Sequence, residues 1–348
     1  MIVSGALLAG LVLVAALLPV PYVVFRPGPL TDVLADGDDG PIIQVDGAQT
    51  YSTTGSLDLT TVGVTPAGAK MDLLTAMRAW IDPDRAVVPR DIVYPGNPTS
   101  EEAREVNSAV FSSSQELASV AALRYLGYDV PVEADQVVVR EVLEGAAAEG
   151  VLEPDDEILT VDGDPVTSPS DVVDAVSDRD PGETVPMQVR RDGEPLDLDV
   201  PTSESEVNPG SAAIGVVVGQ AWDLPVDVTI DVPGQIGGSS AGLVFTLGIV
   251  DTLTPDGLLG DTAVAGTGEI SPDGTVGAIS GVQQKIAAAR DDGAVVFLVP
   301  SENCTSALGA EAGDMLVIPV DTVADAVEVL TAVTEDEPGT LPSCSTVA

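Results

Sequence analysis

The first pattern along the chain is an uninterrupted apolar run. Residues 2–25 carry no charged side chain. A helix of that length, at about 1.5 Å per residue, exceeds the roughly 30 Å hydrocarbon core of a bilayer. Pro19 and Pro21 predict that the helix ends near Leu18. The run therefore predicts a transmembrane anchor over residues 1–25. The alternatives are a buried core helix and a cleaved signal peptide, which normally has a basic residue before its apolar segment.

After this run, strand-like and helix-like patterns alternate. Short apolar segments bounded by turn residues predict strands. Longer stretches with helical periodicity, capped by Ser at the start or Gly at the end, predict helices. The predicted elements are strands within 41–61, a helix over 100–126, strands within 135–200, and helices over 240–253 and 280–293.

Composition narrows the chemistry that is available. The 348 residues predict two or three domains and include 56 acidic side chains, 13 basic ones and no histidine, for a formal net charge of −43. This charge argues against a nucleic-acid partner, because phosphate binding draws on clustered Lys and Arg. Without histidine, a Ser-His-Asp triad, a Cys-His pair and His-ligated metals are excluded. Lysine is the remaining candidate base, and the chain has only Lys70 and Lys285. The two cysteines, Cys304 and Cys344, form either a disulfide or two separate thiols.

A glycine-rich loop precedes one of the predicted helices. It reads Gly237-Gly-Ser-Ser-Ala-Gly and places Ser239 or Ser240 at the helix N-terminus. Free backbone N–H groups and the positive end of the helix dipole can stabilise an oxyanion there. An ordinary N-cap serine is the alternative. A phosphate loop fits less well, because no Gly-Lys-Ser/Thr sequence is present.

One lysine lies on the apolar face of a predicted helix. Lys285 has Gly281 and Val282 one turn before it and Ala288 and Ala289 one turn after it. These neighbours predict that the side chain points inward, and a lysine that reaches water from the helix edge is the alternative. Burial lowers the pKa of an amine from its usual value of about 10.4, so an inward lysine can serve as a base toward a serine.

The strands of 135–200 and their connections resemble a PDZ domain. The resemblance lies in the order and spacing of Val137-Val-Val-Arg-Glu-Val, Gly145-Ala-Ala-Ala-Glu-Gly-Val-Leu, Asp156-Glu-Ile-Leu-Thr-Val-Asp-Gly and the helix Ser170-Asp-Val-Val-Asp-Ala-Val. It implies that a peptide adds as a strand to a sheet edge. Val137–Val142 is the candidate edge, and the helix near Val172–Val176 is the other wall of the groove. A packing module without a ligand is the alternative.

Three later segments resemble the proteolytic domain of the Lon protease family. They are, in family order, Gly238-Ser-Ser-Ala-Gly, Val264-Ala-Gly-Thr-Gly-Glu-Ile and Gly277-Ala-Ile-Ser-Gly-Val-Gln-Gln-Lys. The resemblance implies that Ser240 is the nucleophile and Lys285 its general base. It also implies that Thr267 helps to orient the lysine. Ser239 stands where proline is common in the family.

The whole chain resembles the YlbL-like membrane-anchored proteases of bacteria. We therefore expect an α+β multidomain protein with an N-terminal transmembrane helix, a β-rich PDZ-like domain and a C-terminal Lon-type proteolytic α/β domain. The predicted units are the anchor (1–25), N-terminal strands and a helix that pack with the catalytic domain (26–130), the PDZ domain (131–204), the proteolytic domain (205–335) and an acidic tail (336–348).

The resemblance implies a membrane-anchored serine endopeptidase that acts without ATP, cofactor or metal. Its expected partners are the membrane and protein or peptide substrates, including membrane proteins, that the PDZ domain recruits. A homo-oligomer is left open, and nucleic acid is not an expected partner. The expected location is the cell membrane, with the catalytic part outside the cytoplasm. Two alternatives stay open: a non-catalytic PDZ scaffold with a degenerate Lon-like domain, and a different acyl-transfer hydrolase that uses the same dyad.

Overall fold

The structure is a computed structural model that describes residues 10, 18–37, 40–132, 134, 136–205, 208–234, 236–335 and 341–347. Within these residues, no helix is both long enough and apolar enough to cross a bilayer. Most of the predicted anchor lies outside them. Its last part, residues 19–25, forms strands in which Val23 and Val24 are buried. The folded part of the protein therefore begins no later than Pro19.

A mixed six-stranded sheet combines strands from both ends of the chain. Its strands are β2 (Tyr22–Asp32), β4 (Ser56–Val64), β6 (Ala86–Pro89), β16 (Ala263–Gly266), β19 (Val296–Pro300) and β20 (Leu316–Val320). They lie in the order β20-β19-β16-β4-β2-β6. β16 is parallel to β4 and β19, whereas β2 is antiparallel to β4 and β6. The N-terminal strands are thus part of the same sheet as the segments that resemble the Lon proteolytic domain.

Helices cover this sheet and connect its strands. In chain order the described helices are α1 (Leu73–Trp80), α2 (Arg90–Val93), α3 (Ser100–Tyr125), α4 (Pro169–Ser177), α5 (Gly242–Leu253), α6 (Val282–Asp292), α7 (Cys304–Ala307), α8 (Val323–Thr334) and α9 (Cys344–Val347), with a 3₁₀ turn at Ser301–Asn303. α3 confirms the helix predicted over 100–126. It begins at a capping box, in which Thr99 and Glu102 each accept a hydrogen bond from the backbone N–H of the other.

The main core forms around α5. Every residue of this helix from Gly242 to Asp251 is buried, which explains why its sequence is apolar on all sides. α3 packs along it, and the rings of Phe111 and Phe245 meet edge to face with centroids 5.6 Å apart. Leu57 and Leu59 of β4 belong to the same core. The long N-terminal helix is therefore a structural part of the unit that contains α5.

A second sheet has a separate core. Its strands are β7 (Gln136–Val142), β8 (Glu157–Val161), β9 (Asp164–Pro165), β10 (Thr184–Arg191), β11 (Glu194–Pro201) and β14 (Val216–Ala221). They lie in the order β11-β10-β8-β7-β14, with β9 paired to β8. Val172 and Val176 of α4 pack with the inward residues of this sheet, among them Val139 and Ile158.

The position of β14 corrects one prediction. Val137–Val142 is predicted above to be a free acceptor edge, but β14 pairs with it from Val216 opposite Val142 to Ala221 opposite Gln136. The prediction is wrong because a strand from much later in the chain covers this edge, and strand pairing between distant segments has no local sequence pattern. Among the described strands, β14 itself is the edge, and it contacts α4.

Short antiparallel pairs complete the described strands. They are β1 (Pro19–Val20) with β5 (Met71–Asp72), β3 (Ile43–Asp46) with β15 (Asp227–Ile230), β12 (Ser203–Glu204) with β13 (Ala212–Ala213), and β17 (Glu269–Ile270) with β18 (Val276–Gly277).

The two cysteines form a disulfide. Cys304 and Cys344 are joined across 40 residues of sequence and lie 1% and 4% exposed in a core shared with α6. The bond fixes α9 to α7 and so ties down part of the predicted acidic tail. Residues 336–340 and 348 of that tail lie outside the described residues.

Removing this disulfide should destabilise the protein. Closing a loop of 40 residues is worth about 4 kcal/mol in the chain-entropy model, so Cys344→Ser should lower the free energy of unfolding by roughly 2–4 kcal/mol. The thermal transition of the purified variant measures the loss. Ser345→Ala, which changes an exposed neighbour, serves as the control. An unchanged transition, or two alkylated thiols in the unreduced protein, would contradict the prediction.

Candidate active site

Ser240 lies in the turn immediately before α5. The helix begins at Gly242 with Ala241 as its N-cap, two residues later than the loop sequence predicts. The Ser240 carbonyl accepts hydrogen bonds from the Gly268 N–H at 3.0 Å and from the Thr267 hydroxyl at 3.0 Å. This pair of bonds attaches the serine turn to the segment that follows β16.

Lys285 projects from α6 toward this serine. α6 begins after Gly281, which has a φ of 72°, and ends at Gly293, which confirms the helix predicted over 280–293. The side chain is only 2% exposed. Its Nζ lies 2.6 Å from Ser240 Oγ and 2.8 Å from Thr267 Oγ1. The predicted inward orientation of the lysine is confirmed, and the structure brings all three predicted site residues into one hydrogen-bonded group.

Burial gives Lys285 an unusual acidity. Loss of solvation lowers the pKa of its ammonium group to about 7, because a dry environment disfavours the charged form. Within the described residues Lys285 forms no ion pair that could reverse this effect. Near neutral pH a large fraction of the amine is therefore unprotonated and able to accept a proton.

Backbone donors are available beside Ser240. Among the hydrogen bonds of the described residues, the N–H groups of Ser239, Ser240 and Ala241 have no acceptor. They lie at the N-terminal end of α5, where the helix dipole favours negative charge. This arrangement can hold an oxyanion that forms next to Ser240 Oγ.

The N-terminal region supports the serine loop from α3. The Asn107 carbonyl accepts a hydrogen bond from the Gly238 N–H at 3.1 Å, and Ser114 Oγ donates to the Ser239 carbonyl at 3.0 Å. A Cβ on Gly237 would lie 2.7 Å from Asn107 Cβ, so only glycine allows this close approach. Neither supporting residue was predicted from the sequence. Their spacing of seven places them on one helical face, which is the signal that could have identified them.

Ser239 points to a different partner. Its hydroxyl donates to the exposed carboxylate of Glu269, the acid that follows Thr267-Gly268. Ser239 therefore lies next to the nucleophile candidate without contacting the lysine. The geometry favours Ser240 as the serine that Lys285 can deprotonate.

A cavity of about 550 Å³ opens beside these residues. Its walls are largely apolar, and its lining includes Phe25, Val62, Phe111, Ile236, Ile279 and Glu269. β4 forms one wall: β16 pairs with it only as far as Leu59, and the next residues of the strand, 61–64, line the cavity. The described residues contain no group of His, Cys, Asp or Glu suited to hold a metal ion.

The comparisons with protein families agree with this architecture. Residues 124–202 match the PDZ domain family, and residues 209–332 match the C-terminal proteolytic domain of the Lon protease (S16) family. The chain thus has a PDZ plus Lon-type protease architecture, and its C-terminal domain is of the serine peptidase class. β14 lies within the proteolytic match but completes the sheet of the PDZ domain.

Curated relatives match only part of the chain. Lon protease 2 of Bacillus subtilis is 42% identical over 79 residues, and the Lon protease of Xanthomonas oryzae pv. oryzae is 33% identical over 124 residues. These matches cover 22% and 32% of this chain. The chain spans 14% of the length of each relative.

Two solved structures each match about a quarter of the chain. The PDZ domain of an SdrC-like protein from Listeria innocua is 23% identical and covers 24% of this chain and 93% of its own, with a TM-score of 0.22. A solution structure from Geobacillus thermodenitrificans is 27% identical and covers 24% of this chain and 94% of its own, also with a TM-score of 0.22.

The low pKa of Lys285 should appear in the pH dependence of stability. Its pKa is about 7 in the folded protein and about 10.4 in an unfolded chain, so the unfolded chain binds more protons between these values. The free energy of unfolding should therefore rise with pH across this window. Lys285→Met should remove that rise and stabilise the protein near pH 7 by a few kcal/mol.

Thermal transitions of the parent protein and of Lys285→Met at about pH 7 and pH 9 provide the measurement. Lys70→Met is the matched control, because Lys70 is exposed. Parallel pH curves for the parent and Lys285→Met would show that Lys285 is solvated.

Proposed function

We propose that this protein is a membrane-anchored serine endopeptidase that acts without ATP through a Ser240–Lys285 dyad. The observation that carries the proposal is the 2.6 Å distance between Lys285 Nζ and Ser240 Oγ, at an amine whose pKa is lowered to about 7 by burial. A neutral amine at hydrogen-bond distance from a hydroxyl is the arrangement that general-base activation of a serine requires.

The first half of the reaction forms an acyl-enzyme. Unprotonated Lys285 takes the Ser240 hydroxyl proton while Oγ bonds to the carbon of the scissile carbonyl. The carbonyl oxygen becomes an oxyanion, which accepts hydrogen bonds from the backbone N–H groups of Ser240 and Ala241. When the intermediate collapses, the C–N bond breaks and the Lys285 ammonium gives its proton to the leaving amine. This returns the lysine to its neutral form.

The second half releases the acyl group. Lys285 takes a proton from a water molecule, whose oxygen attacks the ester carbon, and the ammonium then returns the proton to Ser240 Oγ. Thr267 supports both halves as a positioning residue. Its hydroxyl accepts from Lys285 Nζ at 2.8 Å and donates to the Ser240 carbonyl at 3.0 Å, so it holds the lysine and the serine turn together.

The substrate is an extended polypeptide segment. Residues 61–64 of β4 have a neighbour on the β2 side and face the cavity on the other, which suits the addition of a peptide strand beside Ser240. The apolar walls of the cavity favour apolar side chains. Such a site accepts segments that are already unfolded, and we assign no ATP-driven step because the sequence has no Walker A motif.

The PDZ domain recruits the substrate. We assign the ligand to the edge of β14 next to α4, in place of the covered strand β7. Val173 is the exposed large apolar side chain of α4, at 56% exposure, and gives the ligand an apolar contact. This position brings a bound tail to the strand that leads into the proteolytic domain.

The N-terminal run anchors the protein, with the catalytic part outside the cytoplasm. Two features support this location. The apolar residues 2–18 directly precede the folded part, and the buried Cys304–Cys344 disulfide suits an oxidising compartment. Peptide or protein substrates at the membrane surface are the corresponding partners.

Substituting either member of the dyad should abolish peptide cleavage. Ser240→Ala removes the nucleophile and Lys285→Ala removes the base, so each should lower kcat/KM by at least about 10³-fold. In the parent protein kcat/KM should rise with pH through about 7 as Lys285 loses its proton. The measurement is cleavage of a fluorogenic peptide by the purified full-length chain.

Variants at two neighbouring positions sharpen this test. Ser239→Ala changes the neighbouring serine and should keep activity within a few-fold, whereas Thr267→Val should slow cleavage and Thr267→Ser should restore it. Retained cleavage in Ser240→Ala or Lys285→Ala would refute the dyad. A parent protein that binds peptides but cleaves none, and whose Ser240 resists a fluorophosphonate, would favour the non-catalytic scaffold instead.

A substitution in the proposed PDZ groove should weaken binding of a protein substrate and leave the rate of peptide cleavage unchanged. Val173→Asp places a charge on the exposed face of α4, so it should raise KM for a protein substrate at least about tenfold with little change in kcat. Cleavage of a short peptide should stay the same. Val295→Asp, at a valine of similar exposure in the proteolytic domain (51%), is the control. An unchanged KM for Val173→Asp would show that the ligand does not bind at the exposed face of α4.

A further inference from the structure

An unusual apolar surface lies next to the point where the chain enters its folded part. The described residues have fourteen exposed large hydrophobic side chains, and the three most exposed are Ile81 (84%), Trp80 (81%) and Ile92 (70%). Met77 of α1 is 52% exposed, and Tyr22, which is 40% exposed, pairs with Pro89 just before α2. We call these five residues the N-terminal apolar patch.

α1, which carries much of this patch, exposes its large apolar side chains and buries small ones. Ala76 and Ala79 of α1 are buried against Val24 and Met71. Met77 and Trp80, one position further along, are exposed. A helix on an aqueous surface normally buries its large apolar residues and exposes polar ones. The reversed pattern indicates that a second apolar medium covers the outer face of α1.

Backbone hydrogen bonds fix the patch to the start of the fold. The Leu73 N–H, at the first residue of α1, donates to the Leu18 carbonyl at 3.1 Å. The Arg90 N–H, at the first residue of α2, donates to the Pro21 carbonyl at 3.0 Å. Both helices therefore begin next to residues 18–21, where the apolar run 2–18 ends. α1 is about 12 Å long, so Trp80 lies within about one helix length of this point.

The charge of this segment also differs from that of the rest of the chain. Residues 66–94 contain four basic and four acidic side chains, a net charge of zero (4 − 4), in a chain whose net charge is −43. Lys70 and Arg78 are exposed, and neither forms an ion pair within the described residues. Cations beside exposed Trp and Ile are the combination found at a lipid surface, where anionic headgroups attract the charges.

We propose that the N-terminal apolar patch inserts into the lipid interface, with α1 lying along the membrane surface. The interfacial layer is about 5–8 Å deep on each side of the hydrocarbon core. α1 starts next to Leu18, where the predicted anchor ends, and carries Trp80 at its other end. Both ends of α1 can lie in the interfacial layer only when the helix is parallel to the membrane. The inference rests on the proposed anchor. It adds that the folded part is held in one orientation on the bilayer, as a flexible tether alone would not do.

Tryptophan fluorescence tests this contact in the full-length chain. Trp80 and Trp222 are the only tryptophans, and Trp222 is 8% exposed, with its indole N–H donating to the Pro131 carbonyl. The protein is reconstituted into vesicles that contain anionic lipid and phosphatidylcholine brominated either near the headgroup or near the methyl end of the acyl chains. Trp80→Phe leaves only Trp222 and isolates the contribution of Trp80.

We expect lipid bromines to quench Trp80 and to leave Trp222 unquenched. Bromines near the headgroup should quench Trp80 roughly twofold more than those near the methyl ends, because interfacial helices lie only about 5–10 Å into the boundary. Replacing both Ile81 and Ile92 by Gln should weaken the quenching. Leu308→Gln, at a residue 55% exposed in the proteolytic domain, should not change it.

Other outcomes overturn the inference in distinguishable ways. If the parent chain resists alkaline extraction but Trp80 is unquenched, the anchor stands and the lipid contact fails. If Trp80 emission depends on the protein-to-lipid ratio without quenching by bromine, a second copy of the chain covers the patch. If alkaline extraction releases the chain, the proposed anchor and the lipid contact both fail. Ser240-dependent cleavage on the same vesicles reports on the peptidase independently.

Discussion

The candidate active site depends on excluding water from the amine of Lys285. Lys285 is 2% exposed, its polar partners are the hydroxyls of Ser240 and Thr267, and burial alone lowers its pKa. A carboxylate in contact would raise the pKa again, because it favours the charged form. In a chain of net charge −43, the fold must therefore exclude both water and acids from this point. It does so by converging α6, the turn before α5 and the end of β16 on one group, so that rigid elements fix all three side chains.

The same requirement explains why the N-terminal region is part of the catalytic unit. The loop that carries Ser240 is glycine-rich and has little packing of its own, so it needs support from outside. α3 supplies that support through Asn107 and Ser114, and two residues later its Glu116 accepts hydrogen bonds from Arg140 of β7 and from the backbone of Trp222 after β14. One helix thus contacts both the turn that carries Ser240 and the sheet of the PDZ domain.

Local features of the sequence were sufficient to predict the residues at the centre of the site. They were not sufficient to predict the elements that surround it. The helix of Lys285, its inward face and the glycine-rich turn of Ser240 all follow from residues within about one or two helical turns. The shared sheet, the support from α3 and the covering of β7 by β14 arise between segments far apart in the chain. Such pairings depend on tertiary packing, for which local periodicity gives no pattern. For this reason the prediction that β7 is the free edge of the PDZ sheet was wrong, whereas the predicted inward orientation of Lys285 was confirmed.

Glu269 is the acid nearest to Thr267 in the sequence, and its position shows why it does not raise the pKa of Lys285. Glu269 follows Thr267 by two residues, yet burial is the only cause of the Lys285 pKa shift, and no nearby charge contributes. The Glu269 side chain is exposed and accepts a hydrogen bond from Ser239 Oγ. Water screens the charge of this exposed carboxylate. Burial therefore sets the pKa of Lys285 even though an acid lies two residues from Thr267 in the sequence.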